Sequence, residues 1–564
     1  MKKKLLLSGL LMLFCFFGIA QQRTITGKVT SKEGTPLADA SVIVVGQKTG
    51  ETTGPDGSFS IRVPANAKTL RVSYVGYQSE DVPITSENNI TVSLQSSATN
   101  LNEVVVTGYG TQRKKDITGA VAVVNTSELK QQPATSPIEA LQGKATGVQI
   151  INDGSPGSTP QIRIRGNTSI NNNDPLFVID GMPYQGKLSW LSSDDIESMQ
   201  VLKDASAASI YGSRANNGVV IITTKIGRKG PPRINLHIYD GTQVPMRERF
   251  PKYLNPQQFG QYVWTQYSNA GVPVAGSTMS DYYGNGATPK LPEYLLAGST
   301  VGQNVTAAQA DPSKYNYSPT NSTTFYQITK ANQAGTNWFN EITHNAPMQN
   351  YELSILGGGD NANYAVSGGA YNQQGTIKYT NFKRYYIRAN TNFTAFNGAL
   401  KMGENAQYSY TKGIGFATNP NVAGSYAGEG SPLGWAYRIQ TIVPVYDIKG
   451  NFAGTRGSGL GNADNPLAIL YRGRDNYNND NLFFGSAYAD LKIANGLNLK
   501  TTFGTQYDNY AGIGIGYPDP ERSEASFVNS LSEYQGWGTQ WTWTNTLTYH
   551  QKWNKHDFKL MGGT

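Results

Sequence analysis

From Arg233 onward the chain alternates apolar and polar residues with a period of two, and this alternation constrains the fold more than any other feature of its 564 residues. Tyr385, Ile387, Ala389, Thr391 and Phe393 fall on one side of an extended segment, Tyr386, Arg388, Asn390 and Asn392 on the other. Leu497, Leu499, Phe503 and Tyr507 oppose Asn498, Lys500, Thr502 and Gln506 in the same way, and Trp541, Trp543, Leu547 and Tyr549 oppose a row of threonines. Period two belongs to pleated strands with two unlike faces, so the C-terminal half is read as strands with an apolar outside and a polar interior. Helical patterning thins out after Pro232.

Connection lengths separate two architectures that both alternate. A soluble sandwich has no reason to make every second loop long, whereas a transmembrane barrel pairs short periplasmic turns with long outer loops. Turn-forming pairs stand at Asp360-Asn361, Asn397-Gly398, Asn495-Gly496 and Asn554-Lys555. Longer excursions run from Met246 to Met348, Asn372 to Asn381, Lys412 to Asp480 and Asp508 to Gln540. About nine strands follow Arg233, the last, Phe558 to Gly562, heading outward. Single-chain bacterial barrels close with even strand numbers, and Met561-Gly562-Gly563-Thr564 lacks a terminal aromatic, so the barrel is expected to be incomplete. The 62 glycines, 34 tyrosines and 8 tryptophans, with only 15% charged residues, suit turns and aromatic girdles.

Met1 to Ala20 has the layout of a secretory signal peptide, with Lys2, Lys3 and Lys4 ahead of an apolar run from Leu5 to Ile19 that is too short to span a bilayer. Cleavage carries off Cys15, the one cysteine, and bulky Phe14 before it argues against lipidation. The mature chain then has no disulfide, cysteine nucleophile or thiolate metal site. Those three lysines supply three of the eight net positive charges, leaving five with no basic stripe among stacking aromatics, which excludes nucleic acid as the expected partner. His237, His344, His550 and His556 show no HExxH spacing, and there is no phosphate loop, nucleophile elbow or paired-carboxylate signature. The Asp475 to Asn481 run lacks the ligand ladder of a calcium loop. Neither enzyme chemistry nor a cofactor is expected.

Ahead of the alternating half, residues 23–96 hold short Val, Ile and Thr-rich runs parted by turns such as Pro55-Asp56-Gly57, which reads as a small β-sandwich. The phrases ITGKVTSKEGTPLADASVIVVG, TTGPDGSFSIRVP and LRVSYVGYQS resemble the carboxypeptidase regulatory-like domain. A linker, residues 97–115, carries Glu103-Val104-Val105-Val106-Thr107, a β-branched run able to add to the edge of a partner's sheet. Within LNEVVVTGYGTQRKKDITGAV it resembles a TonB box. Residues 116–228 mix helical stretches (Ile138 to Lys144, Ser193 to Ser198) with strands (Gln161 to Arg165, Val219 to Thr224). Their phrases IRIRGNTSINNNDPLFVIDGMP and DIESMQVLKDASAASIYGSRANNGVVIITTK resemble the plug of SusC/RagA-like TonB-linked outer-membrane transporters.

That resemblance implies a mainly β fold: signal peptide (1–20), β-sandwich, linker, mixed α/β plug, and part of an antiparallel transmembrane barrel (233–564) that has 22 strands in the family. It implies active import of oligosaccharides or similar nutrients, energised by a TonB-ExbB-ExbD complex and assisted by a SusD-like surface lipoprotein, in the lipid of the outer membrane. Arg163, Arg165, Asp180 and Arg214 are expected to anchor the plug by salt bridges to the wall. Trp264, Tyr282, Tyr283 and Trp338 are read as loop-core or girdle aromatics rather than sugar-stacking platforms. A siderophore or cobalamin receptor is the alternative within the class, and a surface binding or adhesion protein the alternative outside it.

Overall fold

The computed structural model describes residues 22–564 except 33, 48–49, 65–66, 75–76, 86, 96–103, 108–109, 114–120, 126–133, 153, 168–169, 171–172, 205–207, 299–309, 416–429, 458 and 555. The expected signal peptide and Glu103 therefore lie outside the described residues. Contacts divide the chain into two units, the first running to Val106 and taking in Thr111 to Arg113, the second holding Thr107, Gly110 and the described residues from Val121 onward.

The first unit contains β1 (Gln22–Ser31), β2 (Ser41–Val44), β3 (Gly50–Thr52), β4 (Ser58–Pro64), β5 (Thr69–Ser73), β6 (Glu80–Pro83) and β7 (Asn89–Leu94). They form two sheets, ordered β4-β1-β7 and β3-β2-β5-β6. Alternation along β4 buries Phe59, Ile61 and Val63, which meet Ile25, Val42, Leu70 and Val72 in one apolar core. The Pro55-Asp56-Gly57 turn is locked by the Asp56 carboxylate, which accepts from the Ser58 amide and hydroxyl at 3.1 and 2.7 Å. After it come β8 (Val104–Thr107) and β9 (Gly110–Arg113), paired as a two-stranded ribbon at the boundary of the units.

The second unit begins with the plug: β10 (Val121–Asn125), β11 (Val148–Ile151), β12 (Gln161–Ile164), β13 (Leu176–Ile179), β14 (Met182–Tyr184), β15 (Ile196–Leu202) and β16 (Val219–Thr224). Five strands form one sheet, β10-β15-β16-β13-β14, with β13 and β16 parallel, and β11 pairs with β12. The expected helices are shorter than their patterns suggest. The first is a single turn, Pro137–Ala140, capped by the Ser136 side chain. The second is a 3-10 turn, Ser193–Asp195, that gives way to β15, whose Met199 and Val201 are drawn into the sheet's core.

A nine-stranded antiparallel meander follows: β17 (Gly230–Gln243), β20 (Ala346–Gly358), β21 (Ala362–Gln374), β22 (Asn381–Ala395), β23 (Leu400–Ile414), β24 (Tyr477–Ala494), β25 (Leu497–Gly516), β26 (Ser530–Trp553) and β27 (His556–Gly563), in that order. Among the described residues β17 and β27 do not pair with each other, so no closed barrel is present. No helix of the described residues is long and apolar enough to cross a membrane. The turn at Asn495-Gly496 has two residues, with Gly496 at φ 79°, as the sequence suggests. At Asn397-Gly398 the connection is longer, because Phe396, Asn397 and Gly398 all take positive φ in a 3-10 turn. Strands also run further than expected, β25 for 20 residues and β26 for 24, which shortens the last excursion to 517–529.

The two longest excursions are not open loops. Their segments, with β18 (Tyr294–Gly298) paired to β19 (Tyr326–Lys330) and helices at Pro256–Asn269, Trp338–Ile342, Pro432–Arg438 and Pro466–Arg472, share one core. Trp264, Tyr282, Tyr283, Trp338, Trp435, Ile442 and Leu467 are buried there. The four aromatics singled out in the sequence are thus core residues of this loop body.

Candidate functional site, where the plug meets the wall

The wall strands nearest the plug present one face to it and one away from it. On β22 the burial alternates: Phe382, Arg384, Tyr386 and Arg388 are buried, while Tyr385 and Ile387 are exposed. The two arginines stand four residues apart, hence on the same face. Both are only 2% exposed, an unusual state for arginine that demands partners.

Arg384 finds them in backbone. Its Nη1 donates to the carbonyls of Thr135, Ser189 and Leu191 at 2.8, 2.8 and 3.1 Å, so one wall side chain ties two plug segments. The guanidinium also lies 5.3 Å from the ring centre of Tyr371 on β21. Arg388 donates to the Thr224 hydroxyl and to the Lys225 carbonyl, the latter at 3.3 Å.

Asp180 faces Arg388. Asp180-Gly181 forms the two-residue turn between β13 and β14, both residues at positive φ (47° and 86°), a geometry Asp-Gly adopts readily. The turn aims the carboxylate at the end of β16, where it accepts from the Thr224 amide at 2.8 Å and hydroxyl at 2.5 Å. It also accepts from Asn405 of β23 and lies 4.0 Å from Arg388. Burial pushes this carboxyl up from its ordinary value, while Arg388 and the Thr224 bonds pull the other way.

A second polar cluster lies beside it. Glu352 of β20 accepts from Tyr386 at 2.5 Å and from Ser192 of the plug at 3.0 Å. Asp194, at the plug's 3-10 turn, is met by His237 of β17 at 2.9 Å and by Asn350 of β20, which donates at 3.2 Å. Gln407 and Ser409 of β23 both donate to the Trp190 carbonyl. Apolar contacts complete the seam: Leu482 and Phe484 of β24 join the plug's core, with Phe484 edge-on to Tyr184 at 5.7 Å and 5.2 Å from Trp190, while Phe382 packs on Gly157 and Met182 on Gly504.

Of the four expected anchors, Asp180 touches the wall. Arg163 instead binds Asp174 at 2.7 Å, and Arg165 binds Asp204, both within the plug. Arg165 also sits beyond the end of β12 at φ 59°, which removes it from the strand face it was expected to share with Arg163. Arg214 is exposed on the Ser209–Ala215 turn with no partner among the described residues. The wall's own contributors Arg384, Glu352 and Asn405 went unremarked in the sequence, and His237 was read only as a histidine without metal-ligand spacing, because a polar strand face reads the same whether it meets water or protein. Paired arginines on one such face, at 384 and 388, were the available signal.

Among the described residues no group of three or more His, Cys, Asp or Glu side chains could hold a metal ion. What the seam can do is bind and release, since hydrogen bonds to carbonyls and hydroxyls can be exchanged for water at small net free energy.

Comparison with known proteins agrees with this architecture. Residues 113–219 match the TonB-dependent Receptor Plug Domain, and 25–106 match the CarboxypepD_reg-like domain. The chain is 32% identical to TonB-dependent receptor P3 of Formosa agariphila over 96% of its own length and 48% of that protein's. It is 31% identical to TonB-dependent receptor SusC of Bacteroides thetaiotaomicron, over 96% and 50%. The structure of the RagAB peptide importer in its closed-closed state superposes with a TM-score of 0.60 at 24% identity, covering 79% of this chain and 47% of that one. The chain spans about half the length of these relatives. By its plug, its preceding domain, its wall and these relatives, it belongs to the SusC/RagA-like family of TonB-dependent transporters.

Proposed function

We propose that this chain works in TonB-dependent import of a nutrient, an oligosaccharide or a solute of similar size, across the outer membrane. The observation that carries the reading is the seam: the wall holds the plug chiefly by hydrogen bonds and buried charge, with apolar contacts at Phe484, Phe382 and Met182. A plug that must shift to open a path needs contacts that water or solute can replace, and an apolar seam would resist that shift in proportion to its area.

Force enters at Glu103 to Thr107. Val104–Thr107 is already a strand, which supports strand addition to periplasmic TonB, driven by its ExbB and ExbD partners. On the outer side a SusD-like lipoprotein closes over the loop body. SusC and RagAB are named as a receptor and a peptide importer, which widens the solute class to peptides. Deleting Glu103 to Thr107 from the gene in its own strain is expected to abolish energised uptake while leaving solute binding at the cell surface intact. Uptake that survives the deletion overturns the mechanism, and loss of surface binding as well indicates that the protein failed to reach the membrane.

A further inference from the structure

Lys383 on β22 and Lys412 on β23 are direct cross-strand partners. They lie on the face turned away from the plug, two residues along from Tyr385 and Tyr410, whose rings stack at 6.4 Å on that face. Like charges placed opposite each other destabilise a sheet unless something of opposite sign lies near them. Among the described residues no carboxylate pairs with either lysine. The same row continues on both sides with amides: Asn372 of β21 opposite Lys383, and Asn479 of β24 opposite Lys412. Lys412 has partial compensation, its Nζ lying 3.8 Å from the ring centre of Tyr477. Lys383 has no such contact among the described residues and lines a cleft of about 440 Å³ together with Lys378, Asn372, Gln374 and His344. Every titratable side chain lining that cleft is basic or phenolic.

The height of the row on the wall says what it faces. Counting outward along β22 on the same face, the residues are Phe393, Thr391, Ala389, Ile387 and Tyr385, with no charge until Lys383. Ala395 to Tyr385 spans about 33 Å of strand, which at barrel tilt rises roughly 25 Å, the height of an outer-membrane apolar band. Lys383 is therefore the first outward residue beyond that band, at the end of the sheet that carries the long excursions. Cations and amide donors at that level, beside stacked tyrosines, face lipid headgroups.

We infer that the cleft lined by Lys378 and Lys383, with Lys412 beside it on the next strand, binds the phosphate of an outer-leaflet glycolipid. The lysines supply charge, Asn372 and Gln374 supply donors to phosphate oxygens, and Tyr385 and Tyr410 lie beneath against the sugar-acyl boundary. The inference rests on the outward face lying in a bilayer, and the experiment separates the two. The chain is placed in nanodiscs of phosphatidylcholine doped with lipid A carrying two phosphates or none, and retained lipid is counted by native mass spectrometry. Each lysine near an anionic headgroup contributes roughly a factor of five, so Lys383→Gln with Lys412→Gln is expected to weaken retention of the phosphorylated form about thirty-fold. Lys552→Gln, at the opposite end of the sheet, should leave it unchanged. Equal retention of phosphorylated and dephosphorylated lipid, or equal retention by the double variant, overturns the inference, as does full displacement by inorganic phosphate. Brominated acyl chains supply the second readout. Quenching of Trp537, Trp541 and Trp543, all exposed on the outward face, places that face in hydrocarbon whatever the lipid A result. Absence of quenching sinks the bilayer placement and this inference together.

Discussion

The loop body and the plug seam are both buried, yet they are built from opposite chemistry. In the loop body, Trp338, Trp264, Tyr282, Tyr283, Trp435 and Leu467 interlock, and its rings touch repeatedly, as Phe339 does with Tyr437 at 4.8 Å. In the seam, arginines, carboxylates and amides do most of the holding, with Phe484, Phe382 and Met182 as the apolar exceptions. Apolar burial stabilises by area and tolerates little displacement, because a close-packed interior has no alternative arrangement nearby. Hydrogen bonds across a polar seam add little net free energy each, but demand that every partner be present. The difference separates a part that keeps one shape from a part that lets go.

The contrast can be broken most directly at Trp338, which is fully buried. Trp338→Ala is expected to cost the loop body about 3–5 kcal/mol. Limited proteolysis should then cut within residues 246–345 while the plug stays protected. Equal sensitization of the plug would mean that the two regions are one cooperative unit.

Next in size is Arg388→Met, which leaves Asp180 buried without its cation. Loss of one partner of a buried pair costs about 3–5 kcal/mol, reduced to roughly 2–4 here because Thr224 and Asn405 still donate to the carboxylate. Release of the plug in urea, followed by protease access to β12, should come at lower denaturant. Adding Asp180→Asn should restore part of the loss, since a neutral amide tolerates the missing cation; a strictly additive pair would mean that the two residues do not interact.

A smaller effect should appear with pH. Asp464 in the loop body has its carboxyl pushed up to about 6 by burial, with Asp519, Glu521 and Glu524 adding to the push and Arg522 opposing it. A raised folded value means that the folded form holds the proton more tightly. Its contribution to stability is then fully present below the ordinary value of 3.8 and is lost as pH rises through about 6. Protease resistance of the loop body should fall between about pH 4 and about pH 6, and Asp464→Asn should flatten that slope. A slope that is unchanged in the variant assigns the titration to another group.

The smallest effect is expected at Arg165. Its bond to Asp204 is half exposed and stays within the plug, so Arg165→Gln should change plug release by less than about 1 kcal/mol. A larger change would reinstate Arg165 as a wall anchor.

Period two made the wall legible, because strands such as β22 have one exposed apolar row and one buried polar row; β16 was read to the residue, and the strand count from Arg233 matches the nine observed. The loop body was not legible. Its long helix, Pro256–Asn269, opens with a capping box in which Asn255 accepts from the Gln258 amide and the Gln258 side chain accepts from the Asn255 amide. That short signal was submerged in more than a hundred residues read as loop. The core joins segments nearly two hundred residues apart, such as Tyr253, whose hydroxyl donates to the Ala436 carbonyl, and no local pattern announces such a contact. At the seam, Asp180 was among the expected anchors, but Glu352 and Arg384 each sit in strands whose polar face gave no hint of what it would meet.

The length of β25 and β26 has a consequence of its own. A tilted strand crosses a membrane in about 9–11 residues, whereas β26 has 24. More than half of that strand is surplus to a bilayer crossing, and its ladder to β25 continues unbroken to the pair Gly516 and Ser530. The two strands are thus longer together than a bilayer crossing needs, and their ladder keeps that surplus length rigid.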